Sequence, residues 1–214
     1  MENLHDKRKS YERGELLESM VRDNPMEQFR NWFMEAEEHP QIAEANAVAL
    51  CTVEPDGYPR SRMVLLKSYD WQGFVFYTNY ESRKGKAIEA HPQICLHFFW
   101  PMLERQVIIR ARAERLAENL SDGYFQGRPK GSQLGAVVSP QSQEIPDREF
   151  LEKRLHELET AYSDKEIPRP GNWGGYLAKP DEIEFWQGRP NRLHDRIIYR
   201  LENGLDWKIS RLAP

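Results

Sequence analysis

The sequence predicts a single α+β domain built on a closed or nearly closed antiparallel barrel with peripheral helices. Three observations predict it. Short segments rich in β-branched and aromatic residues follow one another at hairpin spacing between residues 47 and 116, helical periodicity is confined to a few stretches beside them, and no repeat, low-complexity tract or linker divides the 214 residues. A chain of that length buries a sizeable core without disulfide or metal staples.

Residues 1–23 are crowded with charge, lack hydrophobic periodicity and are expected to be mobile in the free protein. Order is expected to begin at Asn24, which can cap a helix with Pro25 at its first position and Glu27 three residues after the cap. Met26, Phe29, Phe33 and Ala36 give that helix an apolar stripe, and His39-Pro40 ends it. An antiparallel meander follows: Ala47–Val53, a turn at Glu54–Gly57, Arg60–Tyr69, a turn around Asp70–Gly73, and Phe74–Asn79. Ser82 offers a cap for a short helix through Ala90, stopped by His91-Pro92, after which Gln93–Trp100 and Arg105–Leu116 resume the β pattern. Residues 119–138 read as helical but interrupted at Arg128-Pro129, and Pro146–Tyr162 holds a second amphipathic helix. Strands at Glu182–Gln187, Arg196–Leu201 and Trp207–Leu212 close a domain spanning 24–214.

With 39% hydrophobic and 30% charged residues the composition is globular rather than disordered. No signal peptide is visible, and no window approaches the roughly 20 apolar residues that cross a bilayer, so the cytoplasm is the default expectation. Cys51 and Cys95 each sit in an apolar strand-like stretch and are expected to be inert core thiols. Thirty Lys and Arg against 34 Asp and Glu leave a net charge of −4, which provides no global field for nucleic acid or an anionic membrane. Any anion site must be local.

Several constellations provide such local charge. If Arg192-Leu193-His194-Asp195-Arg196 is extended, Arg192, His194 and Arg196 share one face. Such a face is either bathed in water or meets an anionic or π-rich ligand. Tyr77-Thr78-Asn79 precedes Ser82-Arg83-Lys84, where two basic side chains occupy a helix's first turn, a place that already favours an anion; the alternative is a solvated helix start. Tyr124 and Arg128 lie four apart on one helix face, and Ser132 is a candidate cap of the next helix. Together they form a second candidate phosphate cradle or an ordinary helix–turn–helix. Arg62–Lys67 is an apolar strand with a cation at each end, on opposite faces if regular; snorkelling strand ends explain it as well as a ligand does. Gln126–Lys130 has the look of a minor-groove hook, but it lies between helical pieces of an acidic chain.

Other chemistries lack their signatures. There is no GxGxxG or GxxxxGK[ST] loop, no HxxxH or HExxH, no CxxC and no GxSxG, so no metal site is expected.

In order and approximate spacing, RMVLLK (62–67), FYTNYESRK (76–84), ERQV (104–107), YFQGRPKGSQLGAVVS (124–139), QS (141–142), FWQGRPNRLHDR (185–196) and the terminal WKISRLAP resemble the pyridoxine 5′-phosphate oxidase family of vitamin B6 metabolism, almost end to end. The resemblance implies an FMN-binding split β-barrel working as a homodimer, with FMN at the subunit interface. The reaction it implies is oxidation of pyridoxine 5′-phosphate or pyridoxamine 5′-phosphate to pyridoxal 5′-phosphate, by hydride transfer from C4′ to FMN N5 with O₂ as acceptor and H₂O₂ as product. Carried over by motif, FMN contacts would come from Arg62, Met63, Val64, Leu65, Leu66, Lys67, Tyr77, Thr78, Arg83, Lys84, Gln106, Gln141, Ser142, Trp186 and Arg196. Substrate phosphate contacts would come from Lys67, Tyr124, Arg128 and Ser132. Arg192 and His194 would act at the pyridine ring as the catalytic pair, with His194 a candidate proton acceptor. The family covers its substrate with an N-terminal lid, for which Arg8 and Tyr11 have the matching spacing. The match is loosest there, where RKSY replaces a more basic stretch, and at the connector Arg189-Pro190-Asn191. Rival readings are a split-barrel flavin oxidase of another aromatic, such as those of phenazine biosynthesis, and a non-catalytic carrier of FMN or pyridoxal phosphate.

Overall fold

The computed structural model describes every residue except Met1, Glu2 and Arg8, so the lid candidate Arg8 lies outside the described residues. Among the described residues, five α-helices, α1 (Pro25–Glu38), α2 (Arg83–Ala90), α3 (Glu118–Gln126), α4 (Lys130–Val138) and α5 (Arg148–Ala161), surround one sheet. Its strands are β1 (Ala47–Val53), β2 (Pro59–Leu65), β3 (Ser68–Asp70), β4 (Gly73–Asn79), β5 (Gln93–Trp100), β6 (Arg105–Arg115), β7 (Trp173–Gln187), β8 (Asp195–Glu202) and β9 (Asp206–Arg211). All pairings are antiparallel, in the order β2-β1-β5-β6-β7-β4-β3, with β8 on β7 and β9 on β8.

The 15-residue β7 is the spine of this curled half-barrel. Along one edge it pairs with β6; along the other, β4 takes its first part and β8 its last. The register with β6 slips between Arg110 and Ala111, opposite Pro180 and Glu182. Pro180 has no N–H for the ladder, so the extra residue there bends the strand and lets the sheet curl. The sequence indicates only its last six residues, Glu182–Gln187; Gly174-Gly175 and Pro180 have low strand propensity, and pairing of the two glycines with β4 and of Pro180 with Ala111 of β6 overrides it.

The expected segment Arg60–Tyr69 is likewise two strands. After Leu65 the chain leaves β1: the Leu66 N–H donates to the Asn46 carbonyl and the Lys67 N–H to the Val75 carbonyl, so the backbone passes from one neighbour to another. Helix ends follow their local chemistry. The Asn24 side chain accepts the Met26 N–H with Pro25 at the first position, and the Ser82 hydroxyl accepts the Gly85 N–H. A Cβ at Gly85 would run into the Tyr80 carbonyl, so only glycine fits the start of α2.

Phe29 and Phe33 of α1 pack on Tyr69, Phe74, Phe98 and Trp100, closing the barrel's inner face. Phe29 is fully buried, so truncating it to Ala would cost about 3–5 kcal/mol. A smaller cluster of Phe125, Leu134, Ile167 and Trp173 holds α3 and α4 against β7. Cys51 and Cys95 face each other across β1 and β5 as free, half-buried thiols, and burial pushes Cys95 up to about 11, away from nucleophilic use.

Candidate functional site

Where β2 ends, β4 ends and α3 ends, their residues converge on a cleft of about 290 Å³. It is lined by Met63, Val64, Leu65, Lys67, Tyr77, Thr78, Asn79, Lys84, Tyr124, Arg128, Gln141 and Trp173. The Tyr77 and Tyr124 rings stack at 3.8 Å, Trp173 continues the stack 5.5 Å from Tyr77, and the Arg128 guanidinium lies 4.7 Å over Trp173. Arg128 is therefore held by aromatic faces rather than by a carboxylate. Its Nη1 is buried without a hydrogen-bond partner, and burial holds its pKa below the ordinary value.

A second recess of about 440 Å³ adjoins the first, lined by Arg60, Ser61, Arg62, Arg83, Lys84, Ser142 and Gln143. Arg62 donates through Nη1 to Thr52 Oγ1 (2.7 Å) and the Leu50 carbonyl (3.1 Å), while its Nη2 is buried with no partner. Lys84 borders both recesses. Its Nζ donates to Gln141 Oε1 at 3.0 Å, and burial, then the neighbouring Arg62, bring it down to about 8. Among the described residues, no carboxylate lines either recess. Partly buried cations with orphaned N–H groups and no acid to pair with are costly alone, and a phosphate satisfies them.

The remaining candidates divide between two other places. Gln106 accompanies Met63, Ala47, Ala49, His97 and Phe99 around a shallow apolar recess of about 540 Å³, with Gln106 Oε1 2.8 Å from His97 Nε2. Trp186, His194 and Tyr11 form an aromatic cluster at the far end of β7: ring centroids are 4.6 Å apart for Trp186–His194, 5.8 Å for Tyr11–Trp186 and 5.7 Å for Tyr11–His194. His194 Nδ1 accepts the Arg189 N–H at 3.1 Å, which leaves the ring proton on Nε2. Burial, then Arg192, lower its pKa against the pull of Asp195.

Two expectations about local geometry are corrected. Arg192, His194 and Arg196 do not alternate along a strand, because Asn191 and Arg192 are left-handed (φ 56° and 64°) and β8 begins only at Asp195. Arg192 is exposed, whereas Arg196 lies opposite Trp186 and is bound to Glu184 through Nε (2.7 Å) and Nη2 (3.0 Å). Ser132 does not cap α4: Pro129 holds that position, and Ser132 sits exposed in the first turn with its N–H donated to the Pro129 carbonyl. Leu66 is buried in the main core rather than lining the cleft. Sequence reasoning placed Asn79 in the 77–79 cluster, which does line the cleft, but missed Trp173 there and Glu184 behind Arg196. Trp173 lay in an Asn-Trp-Gly-Gly string with no periodicity to mark it.

A curled antiparallel half-barrel with adjoining cation-lined recesses defines a class, the split-barrel proteins. Comparison supports that class and narrows it. PhzG from Burkholderia lata 383, solved in complex with tetrahydrophenazine-1-carboxylic acid, superposes with a TM-score of 0.86 at 31% identity, covering 93% of this chain and 98% of that one. A pyridoxamine 5′-phosphate oxidase-related, FMN binding protein from Nostoc punctiforme PCC 73102 shares the fold at TM-score 0.70 and 16% identity, over 87% of this chain and 97% of that one. Residues 34–162 match the pyridoxamine 5′-phosphate oxidase family, and 173–214 match the pyridoxine 5′-phosphate oxidase C-terminal dimerisation region. The pyridoxine/pyridoxamine 5′-phosphate oxidases of Flavobacterium psychrophilum and Flavobacterium johnsoniae are each 54% identical over 100% of both chains. The chain belongs to the pyridoxine/pyridoxamine 5′-phosphate oxidase family. Among the described residues, no helix is long and apolar enough to cross a membrane, and no group of three or more His, Cys, Asp or Glu could hold a metal ion.

Proposed function

We propose that this chain is a cytoplasmic, homodimeric, FMN-dependent oxidase that converts pyridoxine 5′-phosphate or pyridoxamine 5′-phosphate to pyridoxal 5′-phosphate. The observation that carries the reading is the pair of buried, unpartnered guanidinium nitrogens, on Arg128 and on Arg62, in adjoining recesses without a carboxylate. Two separate orphaned donors bridged by one Lys fit two phosphorylated ligands better than one.

In this reading Arg62, Arg83, Lys84 and Ser142 hold the FMN phosphate, with Met63, Val64, Leu65, Lys67, Tyr77, Thr78, Gln106 and Gln141 along the rest of the cofactor. Tyr124, Arg128, Lys67 and Ser132 hold the substrate phosphate. When bound, FMN supplies the two-electron acceptor for the hydride leaving C4′, with O₂ as terminal oxidant and H₂O₂ as product. The chain's own work is binding and orientation: phosphate anchoring remote from C4′ positions the reacting carbon and lowers the entropy lost on reaching the transition state. Arg192 is free to lie on the pyridine face. His194, with Nδ1 committed to the Arg189 N–H, presents Nε2–H to a ring oxygen as a donor rather than accepting a proton.

A second chain is required by this reading. Trp173, beside Arg128, and Trp186, beside His194, are 186 − 173 = 13 residues apart on one strand. At ~3.3 Å per residue that is on the order of 40 Å of backbone path, more than one small aromatic ester spans. The dimerisation-type region at 173–214 carries Trp186, Arg192, His194 and Arg196, which supports their serving the partner's phosphate cradle. Tyr11 then covers the substrate, as part of a lid formed by residues 1–23.

The test is a spectrum. Purified protein should be yellow, bleach anaerobically on adding pyridoxine 5′-phosphate, and consume O₂ with the phosphorylated substrate but not with pyridoxine. A colourless protein that takes up no FMN would end the reading, while FMN uptake without bleaching would leave only a carrier.

A further inference from the structure

Within the Glu104–Val107 stretch only Gln106 has a role assigned above, yet Glu104 is the more unusual residue. It ends the turn between β5 and β6, is only 2% exposed, and has a left-handed backbone at φ 55°. Gly or Asn adopts that conformation most easily, so a buried Glu there calls for a reason in its side chain.

The reason lies in the N-terminal segment. Glu104 Oε2 accepts the N–H of Glu12 at 2.8 Å and of Arg13 at 3.0 Å, and Oε1 faces Lys9 Nζ at 3.4 Å. Burial alone would push the Glu104 carboxyl up; the N–H groups of Arg13 and Glu12 and the Lys9 ammonium more than reverse this and hold it below the ordinary range. The same turn is tied to the far end of β7, since the Glu104 carbonyl accepts the Gly188 N–H at 2.8 Å and Gln187 Nε2 at 3.3 Å. Gly188 in turn leaves room for Tyr11: a Cβ there would lie 2.8 Å from Tyr11 Cβ and Cγ. Downstream, Asp195 accepts the Leu16 N–H at 3.0 Å and Arg211 donates to the Leu16 carbonyl at 2.8 Å, so the segment is pinned on both sides of Gly14.

We propose that Glu104 is the positioning residue of the N-terminal segment: its buried carboxylate gathers the backbone N–H groups of Glu12 and Arg13 and thereby seats Tyr11 against Trp186 and His194. A carboxylate taking two consecutive backbone N–H groups acts as an anion in a small backbone nest, fixing the direction of the residue just before it. The consequence for substrate capture rests on the reading of Tyr11 as part of the substrate cover.

The experiment joins amide hydrogen exchange with kinetics on the FMN-loaded protein. Glu104→Ala should speed exchange at Glu12 and Arg13 by about tenfold or more while Val107 and Ile109 in β6 keep their protection. It should also raise KM for pyridoxine 5′-phosphate with a far smaller change in kcat, and add little to the KM effect of Tyr11→Ala. Glu104→Gln, which keeps the shape and one acceptor oxygen, should fall between wild type and Glu104→Ala, and serves if the Ala variant folds poorly. Unchanged exchange at Glu12 and Arg13 would overturn the proposal, as would faster exchange with unchanged KM in a protein where Tyr11→Ala does raise KM. If Tyr11→Ala leaves KM unchanged, the cover reading fails on its own, and exchange at Glu12 and Arg13 still decides whether Glu104 holds the segment.

Discussion

Arg128→Met separates a ligand-binding cation from a structural one. Without an anion the wild-type protein carries a partly buried guanidinium whose buried Nη1 has no partner and which lies over the Trp173 and Phe125 rings. Met keeps a long apolar side chain over those rings but gives up a cation–π contact of about 0.5–2 kcal/mol. It also relieves the desolvation cost of an unsatisfied charged donor, of similar size and opposite sign. Ligand-free stability should thus change by about 1 kcal/mol or less, a melting shift within ~2–4 °C for a chain of this length. Substrate binding should change far more. A hydrogen bond to a charged group is worth about 1.5–3 kcal/mol, which converts to a KM for pyridoxine 5′-phosphate raised roughly 10- to 160-fold. The assays are O₂ consumption against substrate concentration, FMN content by absorbance after desalting, and melting of the ligand-free protein. A ligand-free melting temperature lowered by about 8 °C or more would make Arg128 a core residue and refute the reasoning. FMN loss matching the loss of substrate affinity would mean the two recesses have exchanged owners.

Three further perturbations address the neighbouring residues. Burial brings Lys84 down to about 8 in the ligand-free chain, and an anion favours its charged form, so FMN binding should take up only about 0.1 proton at pH ~7 but about 0.9 proton at pH ~9, with affinity falling up to about tenfold per unit above 8. Calorimetry in buffers of different ionisation enthalpy reads this directly; no uptake at pH ~9, or uptake unaltered in Lys84→Arg, would contradict it. Arg196→Ala leaves the Glu184 carboxylate, 8% exposed, without its bidentate partner. Breaking a fully buried pair costs about 3–5 kcal/mol; because Arg196 is nearer the surface, about 2–3 kcal/mol is expected, a melting drop of roughly 5–10 °C with or without FMN. A drop seen only in the FMN-loaded protein would show that the pair is not structural. Gly188→Ala places a Cβ against Tyr11 and should raise KM for the phosphate ester with FMN content unchanged; an unaltered KM would remove the Tyr11 seat from substrate capture.

Local chemistry made much of the fold legible. The caps at Asn24 and Ser82, the hairpin turn at Glu54–Gly57 and the strand Ala47–Val53 depend on neighbours a few residues away, and each falls where the sequence indicates, although that strand is half-buried at alternate positions rather than wholly in the core. What was hidden depends on distant partners. Gly174 and Gly175 lie in a strand because β4 pairs with them, and Pro180 because β6 does, while Ser132 fails as a cap because Pro129 already sets the start of α4. Glu104 gave no signal: nothing in Glu-Arg-Gln-Val tells that its carboxylate is buried under a segment some ninety residues earlier.

The cations show the same division more sharply. Spacing marks Arg62, Lys84, Arg128, Arg192 and Arg196 equally, yet the structure gives them different fates. Arg196 is neutralised by Glu184, Arg192 stands in solvent on a left-handed turn, and Arg62, Lys84 and Arg128 line adjoining recesses in whose linings, among the described residues, no carboxylate appears, the nearby Glu54 being held by Arg60. Of these, Arg62 and Arg128 each carry a buried guanidinium nitrogen with no partner, and that is what marks their recesses as the proposed anion sites. Arg192 and His194 sit at the other end of β7 from that cleft, and their proposed use at a pyridine ring calls for a second subunit that presents its cleft to them. Activity should therefore reappear when Arg128→Met and His194→Ala subunits are mixed, because one site in such a heterodimer is intact. Mixing that restores no activity, in a preparation where heterodimers are demonstrated by mass, would place both residues in a site built from one chain.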